Sequence, residues 1–154
     1  MAENMLYDIA LKKAMALCAG REMCRHDISA KLSSWGVKEE DSSRIISVLV
    51  SEKFIDEERY ANAFVKDRFR YNRWGRVKIA AGLKAKHIQP ELIKEALAVI
   101  DDDVYISSLK EMLAGHRRKV KAKNQYDLKG KMMRFGLSRG FESSLLYDIL
   151  NDLD

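Results

Sequence analysis

Apolar residues recur along this chain in one order, three times. Ile28, Leu32, Gly36 and Val37 stand at spacings of four, four and one, and Ile45, Ile46 and Leu49 follow. The same offsets return at Ile79, Leu83, His87 and Ile88, then at Ala96, Leu97 and Ile100. A third copy runs through Met132, Gly136, Gly140 and Phe141 to Ile149, Leu150 and Leu153, with a glycine at position 136 where an aliphatic residue is expected and Leu137 one place beyond it. Val37 and Ile88 are 51 positions apart, and Ile88 and Phe141 are 53. Spacings of three and four place these residues on single helix faces. A repeat in this range of lengths marks stacked units that bury their faces against neighbours. The pattern predicts an all-α fold: an elongated tandem array of three three-helix units of helix-turn-helix-like shape, divided at 1–52, 53–102 and 103–154.

The middle unit sets the helix boundaries most sharply. Asp56 is placed to cap the first helix, because its carboxylate can accept the unpaired amides of the first turn, and Glu57 and Glu58 then lie at the positive end of the helix dipole. Ile55 and Tyr60 occupy the two positions of a hydrophobic staple. The helix is expected from Glu57 to Tyr71, with Tyr60, Ala63, Phe64 and Val65 on its apolar side and Lys66, Asp67, Arg68 and Arg70 on its wet side. Asn72 to Gly75 form a turn, a short helix carries Ile79 and Leu83, and the third helix opens at Pro90. In the first unit, helices are expected near Leu6–Ala19, Arg25–Trp35 and Glu39–Ser51, with Gly36 left-handed after the second. The third unit starts near Asp103, passes a basic stretch and turns at Gly140.

Composition agrees with helices: the 154 residues include one proline and eight glycines, so long stretches run without a breaker. No apolar run reaches the roughly 18 residues that span a bilayer. The start, with Glu3, Asn4 and Asp8, lacks the basic and apolar regions of a signal peptide, so a cytoplasmic chain with no membrane contact is expected. Two cysteines, Cys18 and Cys24, are too few for a disulfide framework and read as structural thiols. An array whose units cover each other's faces is expected to be a monomer.

Charge changes the picture more. The net +5 is unevenly placed. Lys66, Arg68, Arg70, Arg73, Arg76, Lys78, Lys84 and Lys86 have only Asp67 among them, and Arg117, Arg118, Lys119, Lys121, Lys123, Lys129, Lys131 and Arg134 only Asp127. Acids gather instead at Glu39–Asp41, Glu52–Glu58 and Asp101–Asp103. Such segregation makes an electropositive tract that attracts phosphates, with binding that falls steeply as salt rises. The plainer reading is two solvated helix faces. Trp74, between Arg73 and Arg76, has two readings as well: a ring that stacks on an unpaired base, or a plug at the joint of two helices. Trp35 reads as structural.

Catalytic signals in the sequence are weak. His26, His87 and His116 stand at no metal-binding spacing, Cys18, Cys24 and His26 lack a fourth ligand, and there is no glycine-rich phosphate loop. No enzyme, metal or cofactor is expected.

Three segments resemble the RecX family, bacterial regulators of the RecA recombinase. Residues 21–37, REMCRHDISAKLSSWGV, are similar to the family's R-x-x-S-x-x-E-L-x-x-K-L-x-x-x-G segment. Residues 54–65, FIDEERYANAFV, resemble its I-D-D-x-R-[FY]-A-x-x-[FY] core, and Gly75, Ile79, Leu83 and Ile88 continue the match. Arg134-Phe135 with Arg139-Gly140-Phe141 resembles the C-terminal R-F-x-x-x-R-G-F. The chain departs from the family at Cys24 (serine), at Arg73 and Arg76 (a small residue and a proline) and at His87 (glycine). Cys24 weakens a helix cap that Asp27 can partly serve, and His87 would be strained if its backbone were left-handed.

The resemblance implies a modulator, chiefly an inhibitor, of RecA that lodges in the groove of the RecA filament on single-stranded DNA. It would limit filament growth, ATP hydrolysis and strand exchange, and so act in DNA repair, recombination and the SOS response. The residues expected to meet the filament or its DNA are Arg70, Arg73, Trp74, Arg76, Lys78, Lys84, Lys86, Arg117, Arg118, Lys119, Lys121 and Lys123. Double-stranded DNA is expected to bind weakly. Two alternatives stay open: a nucleic-acid-binding helical repeat that needs no recombinase, and an adaptor that binds another protein with its charge incidental.

Overall fold

The computed structural model describes residues 2–152. Among the described residues there are nine helices and no strand. They are α1 (Ala2–Gly20), α2 (Arg25–Ser34), α3 (Glu39–Ser51), α4 (Glu57–Arg70), α5 (Arg76–Ala85), α6 (Pro90–Leu97), α7 (Asp102–Arg117), α8 (Gln125–Ser138) and α9 (Ser143–Asp152). The all-α expectation holds.

The repeated aliphatic and aromatic positions face inward. Ile28, Leu32, Ile45 and Leu49 join Ala10 and Ala14 of α1 in one apolar core. Ile79, Leu83, Ile88 and Ala96 join Tyr60, Ala61 and Val65 of α4 in a second, and Met132, Phe141, Ile149 and Leu150 join Tyr105, Leu109 and Leu113 of α7 in a third. Leu153, the last repeated position, lies outside the described residues. Three small cores in series expose more surface than one large core. The molecule presents 10150 Å², where a compact chain of its mass presents about 8,000 Å². The array is elongated.

Local chemistry explains the boundaries. The Asp56 carboxylate accepts the Arg59 backbone N–H at 3.0 Å, and Asp101 does the same for Val104 at 3.1 Å, so α4 and α7 begin with the same cap. The turn before each unit's last helix is left-handed in all three copies, with φ of +79° at Gly36, +60° at His87 and +91° at Gly140. At His87 a β-carbon crowds the following carbonyl, a strain of about 1–2 kcal/mol. Cys24 forms no side-chain cap. Asp27 instead reaches back to the Cys24 backbone N–H, the returning half of a capping box.

Three expectations are corrected. Ile55 and Tyr60 do not staple one helix start: Ile55 packs into the first core and Tyr60 into the second, so they tie neighbouring units together. On α4 the buried alanine is Ala61, while Ala63 is half-buried. Arg68 leaves the wet side, half-buried with its guanidinium 4.9 Å from the Phe64 ring centre and 5.2 Å from that of Trp74. At the gap in the third copy, Leu137 beside Gly136 is 46% exposed. That space is filled by Leu146, whose Cδ1 would lie 2.8 Å from any β-carbon on Gly136.

Candidate nucleic-acid interface

The junction of the second and third units organises the basic residues. The turn 71–75 between α4 and α5 meets the turn 139–141 between α8 and α9 main chain to main chain. Gly75 N–H donates to the Arg139 carbonyl at 2.7 Å, and Val77 N–H donates to the Gly140 carbonyl at 2.9 Å. Such an approach leaves no room for side chains at the contact. A β-carbon on Gly75 would lie 2.6 Å from the Phe141 nitrogen, and one on Gly140 would lie 2.7 Å from the Lys78 nitrogen.

Beside this contact Arg76 is held at both terminal nitrogens and across one face. Its Nη2 lies 2.5 Å from Asp102 Oδ1 and its Nη1 3.3 Å from Glu142 Oε2, while the guanidinium covers the Tyr105 ring at 3.9 Å. The Arg76 backbone N–H donates to the Tyr105 hydroxyl at 2.9 Å, and that hydroxyl donates to Glu142 Oε1. Tyr105 is fully buried between Phe69 and Phe141, with ring centres 5.9 and 5.2 Å away. Burial pushes the Tyr105 phenol far above its ordinary value, and the Glu142 carboxylate beside it adds to the rise. Burial alone would lower the Arg76 pKa, but the hydrogen bonds to Asp102 and Glu142 outweigh it and hold the guanidinium above its usual range.

From this junction a run of cations and rings extends in both directions. On one side Trp74 stands edge-on to Phe64 at 6.4 Å, with Arg68 at 5.2 Å and Lys78 Nζ at 4.7 Å from its ring centre. Gly82 makes room for the pair, since a β-carbon there would lie 2.8 Å from Phe64 Cζ. Arg68 Nε is buried without a protein hydrogen-bond partner among the described residues, so the flanking rings are its surroundings. On the other side Lys78 Nζ reaches the Ser138 carbonyl at 3.4 Å, at the end of α8. The neighbouring Arg139 covers Phe135 at 5.2 Å, and His116 stacks on the same ring, with centres 3.8 Å apart and planes within 2°. His116 is followed by Arg117, Arg118, Lys119, Lys121 and Lys123, all exposed, in the last turn of α7 and the segment before α8.

The expected residues therefore divide. Arg70 and Arg73 are exposed around the 71–75 turn, Arg73 with φ +55°, and half-buried Trp74 and Lys78 lie beneath them. Lys84 is exposed further along α5, in the seventh position from Val77 and so on the same helix face. Lys86 lies elsewhere, at the junction of the first and second units, 2.6 Å from Asp27 Oδ1. There His26 and His87 also face each other at 4.9 Å, and Glu22 pairs with Arg59 at 2.5 Å. Arg76 is occupied by the junction. Arg68, His116, Phe135 and Arg139 complete the connection between the two basic groups and were not among the residues expected to meet the filament. Their signal was the basic-aromatic spacing Phe64/Arg68 and Phe135/Arg139, each at i,i+4 on a helix.

Comparisons with known proteins agree with this architecture. The family model described as RecX, second three-helix domain, matches residues 56–97. The regulatory protein RecX of Clostridium acetobutylicum is 28% identical over 98% of this chain and 71% of its own length. The crystal structure of RecX from Lactobacillus salivarius superposes with a TM-score of 0.82 at 20% identity, covering 98% of each chain. A second crystal structure of regulatory protein RecX gives 0.87 at 22% identity, over 98% of this chain and 74% of that one.

Proposed function

The chain belongs to the RecX family, and from that premise we propose that it modulates the RecA recombinase by binding the RecA filament on single-stranded DNA. The expected direction is inhibition of filament growth, ATP hydrolysis and strand exchange, in the setting of DNA repair, recombination and the SOS response in the cytoplasm. The observation that carries the reading is the run of cations and rings from Arg70 to Arg73, through Trp74, Lys78 and Arg139, to Arg117–Lys123. Exposed cations set on two successive units of an elongated array can follow a phosphate backbone. Other side chains of the same surface would meet recombinase protomers. A ligand that holds adjacent protomers in one arrangement shifts the filament through its differential affinity for that state.

Within this reading Arg70, Arg73, Arg117, Arg118, Lys119, Lys121 and Lys123 are the contact cations, with Lys84 at their edge. Trp74 and Lys78 support the turn that carries them. Arg76 and Lys86 keep the units in register. The molecule acts as a monomer, needs no cofactor and catalyses no reaction of its own. Titration into RecA with single-stranded DNA, following ATP hydrolysis, tests it: hydrolysis falls with added protein, and an unchanged rate at equimolar protein overturns the proposal. The reading as a repeat that binds nucleic acid without recombinase is separated by the same titration alongside binding to naked DNA.

A further inference from the structure

We infer that Arg76 and Glu142 are positioning residues that lock the second unit to the third, so that the basic turn 71–75 and the basic segment 117–123 present one surface. The inference rests on the proposed filament contact and adds to it a residue, Glu142, that carries no positive charge.

Three features support it. The guanidinium of Arg76 spends both edges on carboxylates of the third unit, Asp102 at 2.5 Å and Glu142 at 3.3 Å, and its face on Tyr105. Both terminal nitrogens are thereby committed to carboxylates within the protein. Glu142 gathers three segments: one oxygen accepts from Arg76 at the start of α5, and the other accepts from Tyr105 of α7, while its own backbone leads into α9. A forked, charge-assisted arrangement of this kind fixes orientation as well as distance. The third feature is a comparison inside the molecule. Arg25 stands one repeat before Arg76, yet its side chain is exposed and only its backbone N–H is used, at 3.1 Å from Glu57. The clamp exists at the junction that joins the two basic groups and takes a different form at the other.

A cationic contact and a positioning role predict opposite signs for one substitution. Glu142→Gln removes an acid and raises the net charge. If Arg76 met phosphate directly, releasing it would tighten filament binding. A clamp predicts weaker binding, by about tenfold, because two groups that no longer share a fixed spacing lose the gain of binding together. The experiment measures affinity for the RecA filament on single-stranded DNA for the full chain, Glu142→Gln and Arg76→Lys. Arg76→Lys keeps the charge and loses the fork, so it weakens binding as Glu142→Gln does. Asp103→Asn, exposed and outside these contacts, makes the same charge change as Glu142→Gln and stays close to the parent.

The structural readout is a distance between spin labels on Asn62→Cys and Ser144→Cys in a Cys18→Ser background. It is one narrow distribution in the parent and broad in Glu142→Gln and Arg76→Lys. Tighter binding by Glu142→Gln, or distributions as narrow as the parent's in both variants, overturns the inference. A parent that does not bind the filament at all refutes the proposed function instead, and the distance distributions still decide whether the clamp exists.

Discussion

Replacing Gly140 by alanine separates the cost of a left-handed backbone from the cost of opening the junction, because Gly36 provides a matched control. Both glycines hold positive φ, +91° and +79°. Alanine in that region costs about 1–2 kcal/mol at either position. At Gly36 nothing lies within 4 Å of the new β-carbon, so that cost is the whole effect. At Gly140 the β-carbon would lie 2.7 Å from the Lys78 nitrogen, and backbone rather than a flexible side-chain end must yield. The hydrogen bonds Gly75–Arg139 and Val77–Gly140 then stretch or break, at about 0.5–1.5 kcal/mol each. Gly140→Ala is therefore expected to be less stable than Gly36→Ala by about 1–3 kcal/mol. Urea unfolding of both variants, followed by circular dichroism and with slopes compared to detect separate unfolding of one unit, reads the difference. Equal losses in the two variants would refute main-chain docking of the second unit on the third.

Other expectations follow from the cores and the buried phenols. Tyr60 and Tyr105 have phenols held well above the usual 10.0, by burial first and by neighbouring groups after it. Each contributes stability that is complete below pH 10 and lost as pH rises, at up to about 1.4 kcal/mol per pH unit. Urea midpoints between pH 9 and 12 should fall less steeply in Tyr105→Phe, and an unchanged slope would contradict the assignment. Burial alone would raise the Asp27 pKa, but hydrogen bonds from Lys86 and Cys24 bring it below 3.8. Its contribution is present above that pH and disappears as pH falls further, so Asp27→Asn should flatten the acid limb of a stability profile. In the third core, Gly136→Ala crowds Leu146 and costs about 1–3 kcal/mol. The double variant with Leu146→Ala should be more stable than the two separate losses add to, and strict additivity would count against the fit.

The architecture was readable in the sequence because each repeated apolar position has one simple task, to face the core of its own unit. Ile28, Ile79 and Met132 show it, as do the left-handed positions 36, 87 and 140, where even histidine follows the pattern. What the sequence concealed lies between units. Whether an arginine meets solvent or a carboxylate 66 positions away is decided by docking, and local pattern carries no trace of it. Arg25 and Arg76 occupy equivalent repeat positions and have opposite fates. The same holds for Lys86, which composition groups with Lys84 and docking assigns to Asp27. Trp74 has the packing expected of a plug, since it lies on Phe64 within a core, and its ring also carries cations. Gly136 breaks the apolar pattern of the third copy because Leu146, from another helix, fills the space.

The most direct measurement is the affinity of the full chain for three targets at one physiological salt concentration: RecA filaments on single-stranded DNA, naked single-stranded DNA, and RecA without DNA. It is made with the parent and with a variant carrying Arg70→Glu, Arg73→Glu, Arg117→Glu and Arg118→Glu. The filament is expected to bind the parent more tightly than either component, with affinity falling as salt rises, and the variant is expected to lose that binding while keeping its helical content. Equal affinity of the parent for naked DNA and filament, or filament binding that survives the four reversals, would contradict the filament interface on the second and third units.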